Sequence, residues 1–154
     1  PMGSVDHPFN PVSLALGAEA TFVGRAIDSD RKGLTAVLGA AAAHRGTALV
    51  EIFQDCPIFN DGSFDVLRKG DDVEERLIHL TDGEPIRFGP TGDDGLGTFA
   101  VVREGFGLAV AKTAEIDASE IVVHDARDQN LAFALSRLSD QDLTHTVTGI
   151  FRDI

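Results

Sequence analysis

The sequence predicts an α/β fold, a parallel sheet with helices packed on its faces. Three observations predict it. Ala20–Ala26 and residues 47–53 are short apolar runs of strand length, rich in Val, Ile and Phe. Between them Leu34, Val37, Leu38, Ala41 and Ala42 recur at i, i+3, i+4, i+7 and i+8, the apolar stripe of a helix. Strand, helix and strand with short connections make a βαβ unit, whose strands run parallel with a right-handed crossover.

Each element has its own signals. Asn10-Pro11 is a helix start, with Asn as cap and Pro at the first helical position. Val12 to Ala18 is then a short helix with Leu14 and Leu16 partly buried. Asp28-Ser29-Asp30 offers caps for the striped helix. His44 and Arg45 suit its last turn, where positive charge complements the dipole, and Gly46 closes it beyond the C-cap. Ala48-Leu49-Val50-Glu51-Ile52-Phe53 reads as a buried strand.

After Cys56 the pattern changes. Residues 60–75 are polar, with Asp61-Gly62 and Gly70-Asp71-Asp72 as turns. Arg76 to Leu80 reads as a short strand, and Pro85–Gly89 and Gly97–Arg103 as two extended pieces joined by a loop over residues 90–95. Phe106 to Ala114 reads as a helix, and Glu120 to His124 as a short apolar strand. Asp128 or Asn130 opens a helix with Leu131, Ala134, Leu135 and Leu138 on one face, and Val147 to Phe151 is a last strand. A boundary near residue 62 divides the chain into segments 1–62 and 63–154 of one continuous unit.

Composition narrows the function. A chain of 154 residues, 43% hydrophobic and 25% charged, is one globular domain with a real core. No apolar run reaches the roughly 18 residues of a membrane span. No secretory leader is visible. The single cysteine excludes an internal disulfide framework and points to the cytoplasm. The net charge of −12 is concentrated after residue 60, where nine Lys/Arg face nineteen Asp/Glu. Such a surface repels nucleic acid and anionic membranes. Pro1-Met2-Gly3-Ser4 is an unusual start, expected of tag residues or of a cut inside a longer polypeptide.

Familiar catalytic motifs are missing. The sequence has no phosphate loop of the Gly-Lys-Ser/Thr type, no Gly-x-Gly-x-x-Gly, no His-Glu-x-x-His and no Gly-x-Ser-x-Gly. His7, His44, His79, His124 and His145 are scattered and read as surface or packing residues. His124-Asp125 is the best local acid–base pair, but adjacent residues on a strand point to opposite faces. A strand end with a helix cap behind it is the preferred reading. Cys56 stands where a strand runs out into a loop, the usual place for chemistry in open α/β sheets. Taken alone, a lone cysteine beside Asp55 reads as a small structural side chain, because the carboxylate disfavours a thiolate.

Four blocks change that weighting. Asp6-His7-Pro8-Phe9-Asn10-Pro11, residues 18–25 (Ala-Glu-Ala-Thr-Phe-Val-Gly-Arg), residues 42–46 (Ala-Ala-His-Arg-Gly) and residues 51–60, around Gln54-Asp55-Cys56-Pro57-Ile58-Phe59-Asn60, stand in order. Together they resemble the beta subunit of 2-oxoacid:ferredoxin oxidoreductases, closest to the 2-oxoglutarate type. The likeness is specific over residues 1 to about 65; beyond, residues 83–89 and 123–125 are similar but less diagnostic.

The resemblance implies the C-terminal half of a thiamine-diphosphate-binding, mostly parallel sheet with helices on both faces, plus a small extended C-terminal region. In that family the beta subunit binds thiamine diphosphate, Mg²⁺ and one [4Fe–4S] cluster. It works with an alpha subunit, a 2-oxoacid, coenzyme A and ferredoxin. The resemblance makes Cys56 the fourth cluster ligand, and assigns no thiamine-contacting or catalytic residue. The family's other three cysteines and its Gly-Asp-Gly thiamine motif have no counterpart in this sequence. The chain alone is therefore expected to bind neither group, to be inactive by itself, and to be poorly soluble or oligomeric through exposed strand edges. Two other readings stand beside the enzyme fragment: a non-catalytic assembly module derived from that subunit, and a thiol enzyme using Cys56 and a histidine.

Overall fold

The computed structural model describes Asp6, residues 8–138 and residues 143–154. The unusual start and His7 lie outside the described residues.

The first helix begins as its cap dictates. Asn10 Oδ1 accepts the Ser13 amide at 2.9 Å, opening α1 (Pro11–Gly17). Its buried face is Val12, Ala15 and Leu16, one i, i+3, i+4 stripe. Leu16 is fully buried where partial burial was expected, and Leu14, on the other side, is 59% exposed. Asn10 Nδ2 also donates to the Ser136 carbonyl at 2.9 Å, and the Ser13 and Ser136 hydroxyls are 2.8 Å apart. These bonds tie α1 to a helix far along the chain, α4 (Gln129–Ser136).

The βαβ unit forms as expected. Strands β1 (Phe22–Ile27) and β2 (Ala48–Phe53) pair in parallel, from Phe22 opposite Ala48 to Ile27 opposite Phe53. Helix α2 (Arg31–Ala43) connects them, capped by Asp30, whose Oδ1 accepts the Gly33 amide at 3.0 Å. Its exit differs from expectation. His44 is the C-cap in an extended conformation (φ −64°, ψ 142°), so no left-handed residue closes the helix. Gly46 is needed for a close approach instead: a Cβ there would lie 2.2 Å from Thr21 Oγ1.

The sheet is completed from the far end of the chain. Strand β7 (Thr146–Asp153) lies antiparallel to β1, and β3 (Leu77–His79) runs parallel to β7, giving the order β2-β1-β7-β3. Two of the three pairings are parallel. The register slips between Val23 and Gly24, leaving Phe151 as the extra residue of a bulge. Helices cover both faces. Gly24 faces α2, where a Cβ would meet Val37 at 2.7 Å. Val23, its neighbour, points the other way and joins a core with Val12, Leu16, Leu131, Leu135 and Phe151. Phe151 is 0% exposed there, a burial that stabilises by about 1.5–3 kcal/mol.

The expected stripe of α2 is not buried as a stripe. Of Leu34, Val37, Leu38, Ala41 and Ala42, only Val37 is buried, and Leu38 is 42% exposed. Strand β2, expected to be buried, is a sheet edge with Ile52 41% exposed. It has a neighbour on one side only, so half its backbone polar groups face outward. A helix that is apolar nearly all round is ordinarily buried on all sides, and this one is not.

Residues 85–124 add a second layer. Strands β4 (Arg87–Thr91), β5 (Gly97–Glu104) and β6 (Gly107–Lys112) form an antiparallel sheet. The loop expected over 90–95 is a hairpin connection, with Gly92 N bonded to Leu96 O at 2.8 Å. Residues 106–114, expected to be helical, are strand β6 and a single 3₁₀ turn at Thr113–Glu115. The reason is local: Glu104 pairs with Gly107 across a two-residue turn, and Gly105 takes φ +58°. That is the Gly-first hairpin turn, and Leu108 and Val110 then alternate into the core. The expected strand 120–124 makes single bridges, Val123 to Pro85 and Ile121 to Val102. A one-turn helix α3 (Val73–Arg76) precedes β3. Among the described residues no helix is long and apolar enough to cross a membrane.

One buried group sets a pH dependence. His124 is 1% exposed, and its Nε2 donates to the Ile150 carbonyl at 2.8 Å. Burial pushes its pKa below the ordinary 6.5. The native state therefore refuses a proton that the unfolded chain accepts below pH 6.5. Stability from this group is full above that value and falls as the pH drops through it, by at most about 1.4 kcal/mol per pH unit. Urea melts of the wild type and of His124→Gln, compared from neutral to acid pH, should show the wild type losing stability faster. Equal slopes would contradict the assignment.

Candidate functional site

The site is built on the carboxyl ends of the two parallel strands. β1 ends in Ile27-Asp28 and β2 in Phe53-Gln54-Asp55-Cys56. Below the rim, Arg25 is 3% exposed, its Nε 2.6 Å from Glu51 Oε2 on the neighbouring strand. Its guanidinium lies over the rings of Phe53, at 5.0 Å, and Phe151, at 5.5 Å. Charge and ring stacking together hold the two strand ends level.

The loop beyond β2 is clamped rather than loose. Arg68 Nη1 donates to Asp55 Oδ2 at 2.7 Å, and Arg68 Nη2 donates to Asp28 Oδ1. One guanidinium thus ties the loop to the ends of both strands. Asp55 Oδ1 also accepts the Phe64 amide at 3.1 Å, and the Phe64 ring stacks on Phe53 at 4.7 Å. The hydrogen bond to Asp28, then the fields of Asp28, Asp55 and Asp65, outweigh desolvation and raise the Arg68 pKa further above its ordinary value. Sequence reading missed this clamp. Arg68 lies 13 residues from Asp55 and 40 from Asp28, and no local pattern links them.

Cys56 sits inside the clamped loop as a half-buried free thiol. It is bridged to Asn60, whose amide donates to the Cys56 carbonyl at 2.9 Å. The turn so formed throws Ile58 and Phe59 outward, 83% and 88% exposed. Among the described residues no three His, Cys, Asp or Glu side chains converge on a metal position. A [4Fe–4S] cluster takes four thiolates, and this chain has one cysteine, so its own residues do not make a cluster site.

The four described histidines do not join it. His44 bonds to Thr21 Oγ1 and Asp153 Oδ1, His79 to Thr148 Oγ1, and the His145 ring meets Phe88 edge-on at 5.9 Å. His124 and Asp125 form no pair. His124 is turned inward to Ile150, while Asp125 Oδ1 accepts the Arg127 amide and Asp128 caps α4, as the strand-end reading expects.

A cavity of about 660 Å³ lies beside α2, over the β7 face that the helix leaves bare. Thr148, Gly149 and Ile150 form its floor, and Lys32 and Arg127 stand at its rim. The α2 N-terminus that opens toward it is already occupied by the Asp30 carboxylate, which removes the usual basis for anion binding there.

Relatives of this chain include beta subunits of 2-oxoacid:ferredoxin oxidoreductases. One such subunit from a Sulfolobus species is 36% identical over 61 residues, which cover 40% of this chain and 20% of that subunit. In particular, this chain is 69% identical, over its whole length, to the 2-oxoglutarate oxidoreductase subunit KorB of Mycobacterium tuberculosis. It spans 40% of KorB. A 2-oxoglutarate:ferredoxin oxidoreductase from Magnetococcus marinus, solved with 2-oxoglutarate, coenzyme A and succinyl-CoA bound, shares the fold over all of this chain and 36% of its own. The TM-score is 0.57 at 21% identity. No protein-family model matches the chain.

Removing the clamp should free the loop. Arg68→Ala leaves Asp55, whose side chain is 12% exposed, without its cation. The expected loss is about 1–2 kcal/mol in urea, with faster amide exchange over residues 54–68. A variant with unchanged stability and unchanged protection of the Phe64 amide would refute the clamp.

Proposed function

We propose that this chain is part of the beta subunit of a 2-oxoglutarate:ferredoxin oxidoreductase, in which Cys56 supplies one thiolate to a [4Fe–4S] cluster. The other cluster thiolates, and the groups that hold thiamine diphosphate and Mg²⁺, come from polypeptide beyond these residues. The reaction is oxidative decarboxylation. A 2-oxoacid and coenzyme A give acyl-CoA, CO₂ and a proton, and two electrons leave to ferredoxin. An alpha subunit completes the enzyme, and the setting is the cytoplasm. The observation that carries this reading is the 69% identity to KorB across the whole chain. The place of Cys56, at the carboxyl end of a parallel strand in a loop pinned by Arg68, supports it, because a cluster ligand needs a fixed backbone.

A chimera tests the reading. The chain replaces its counterpart in KorB, and the product is expressed with the alpha subunit of that enzyme. The chimera should carry the cluster's electron paramagnetic resonance signal and reduce ferredoxin with 2-oxoglutarate. Cys56→Ser in the chimera should lose the signal and at least about 90% of the activity. A folded, assembled Cys56→Ser chimera with full cluster content would sink the ligand role. An assembled, cluster-loaded chimera unable to use 2-oxoglutarate would sink the substrate.

A further inference from the structure

A second groove, of about 760 Å³, lies on the other side of the molecule, between α4 and the β5–β6 hairpin. Its walls carry Leu16, Leu108, Phe106 and Phe133, and its rim carries Arg103 and Arg137. Among the described residues its lining holds no Asp or Glu, although the chain as a whole carries −12. The cavity beside α2, by contrast, mixes Asp30, Asp82 and Asp153 with Arg25, Lys32 and Arg127.

Neither arginine is satisfied from within. Arg103 and Arg137 take part in no ion pair among the described residues. The aromatic residues are presented rather than packed. Phe106 sits at the hairpin tip, fully exposed, because the Gly105 turn at φ +58° leaves it no inward direction. Phe133 is 42% exposed on α4.

We propose that this groove docks an acidic polypeptide segment, one that places an apolar side chain between the two phenyl rings and carboxylates against Arg103 and Arg137. The proposal does not depend on the role of Cys56. Charge selects the partner's sign. The net charge of −12 disfavours the approach of an acidic protein in general, and two guanidinium groups without an ion pair among the described residues, beside an apolar lining, favour it at this groove. Aromatic residues and arginine are also the side chains that carry most interface energy, and arginine binds carboxylates bidentately. A small ligand fits less well. Small-molecule sites enclose most of their ligand, and here the Phe106 ring stands in open solvent.

The test uses the full chain and a random dodecapeptide phage library, followed by fluorescence anisotropy with the best selected peptide. Selected peptides should be net acidic with an aromatic or aliphatic anchor, and their binding should weaken as salt rises. The double variant Arg103→Glu/Arg137→Glu and the single variant Phe106→Ser should each weaken binding by about tenfold or more, the effect of losing one hot-spot side chain. All three positions are exposed, and circular dichroism checks that the variants fold. Neutral or basic selected peptides, no selection above that on the charge-reversed variant, or undiminished binding by both variants would each overturn the proposal. Equal displacement of the peptide by pyrophosphate would do so too, by making the groove a small-anion site.

Discussion

The pairing of β7 with β1 is the interaction on which the rest depends. The last eight-residue strand enters between β1 and β3, and every part of the molecule leans on it. The His124 imidazole bonds to Ile150, the Leu80 amide to Thr148, and the Asp153 amide to Ala126. The Phe151 bulge turns a large side chain into the core beneath α1 and α4. Without β7 the sheet falls into β1–β2 and an isolated β3, and two parallel strands alone do not make a stable sheet. The second layer, β4 to β6, would then lose the floor on which Phe88 and Val101 pack.

This pairing is also what levels the strand ends. Arg25 reaches from β1 to Glu51 on β2, to the Val147 carbonyl at 3.2 Å and to the Phe151 ring. The Cys56 loop is then tethered by Arg68, together with the Phe64 amide on Asp55 and the Phe64 ring on Phe53. Rigid strand ends below and one forked guanidinium above fix the backbone around the thiol. The opposite character of α2 belongs to the same account. Helix α2 leaves apolar side chains exposed beside a free sheet edge, and this chain spans two fifths of the KorB relative.

Local signals in the sequence carried much of the fold. Asn10-Pro11 marked α1, and the apolar runs around α2 marked a parallel pair, which forms over six residues. Burial was less legible. The spacing of Leu34, Val37, Leu38, Ala41 and Ala42 says that they share a face, and says nothing about whether anything covers it. The stretch 106–114 misled because its apolar residues suit either period, while the Gly105-Phe106 turn settles it as a hairpin. The sequence placed Cys56 where a strand runs out into a loop, and the structure puts it just beyond β2. Arg68 was not legible, because its partners Asp28 and Asp55 meet it only after the strands have paired. The place of β7 was likewise out of reach: a short apolar strand names no partner.

Native-state hydrogen exchange followed amide by amide tests this account most directly. The amides of β1 and β7 that bond each other, from Val23 to Arg25 and from Gly149 to Arg152, should be among the slowest. They should open with the same free energy as global unfolding. Rapid exchange throughout β7, with β1 and β2 still protected, would show that the sheet stands without its last strand and would contradict the account.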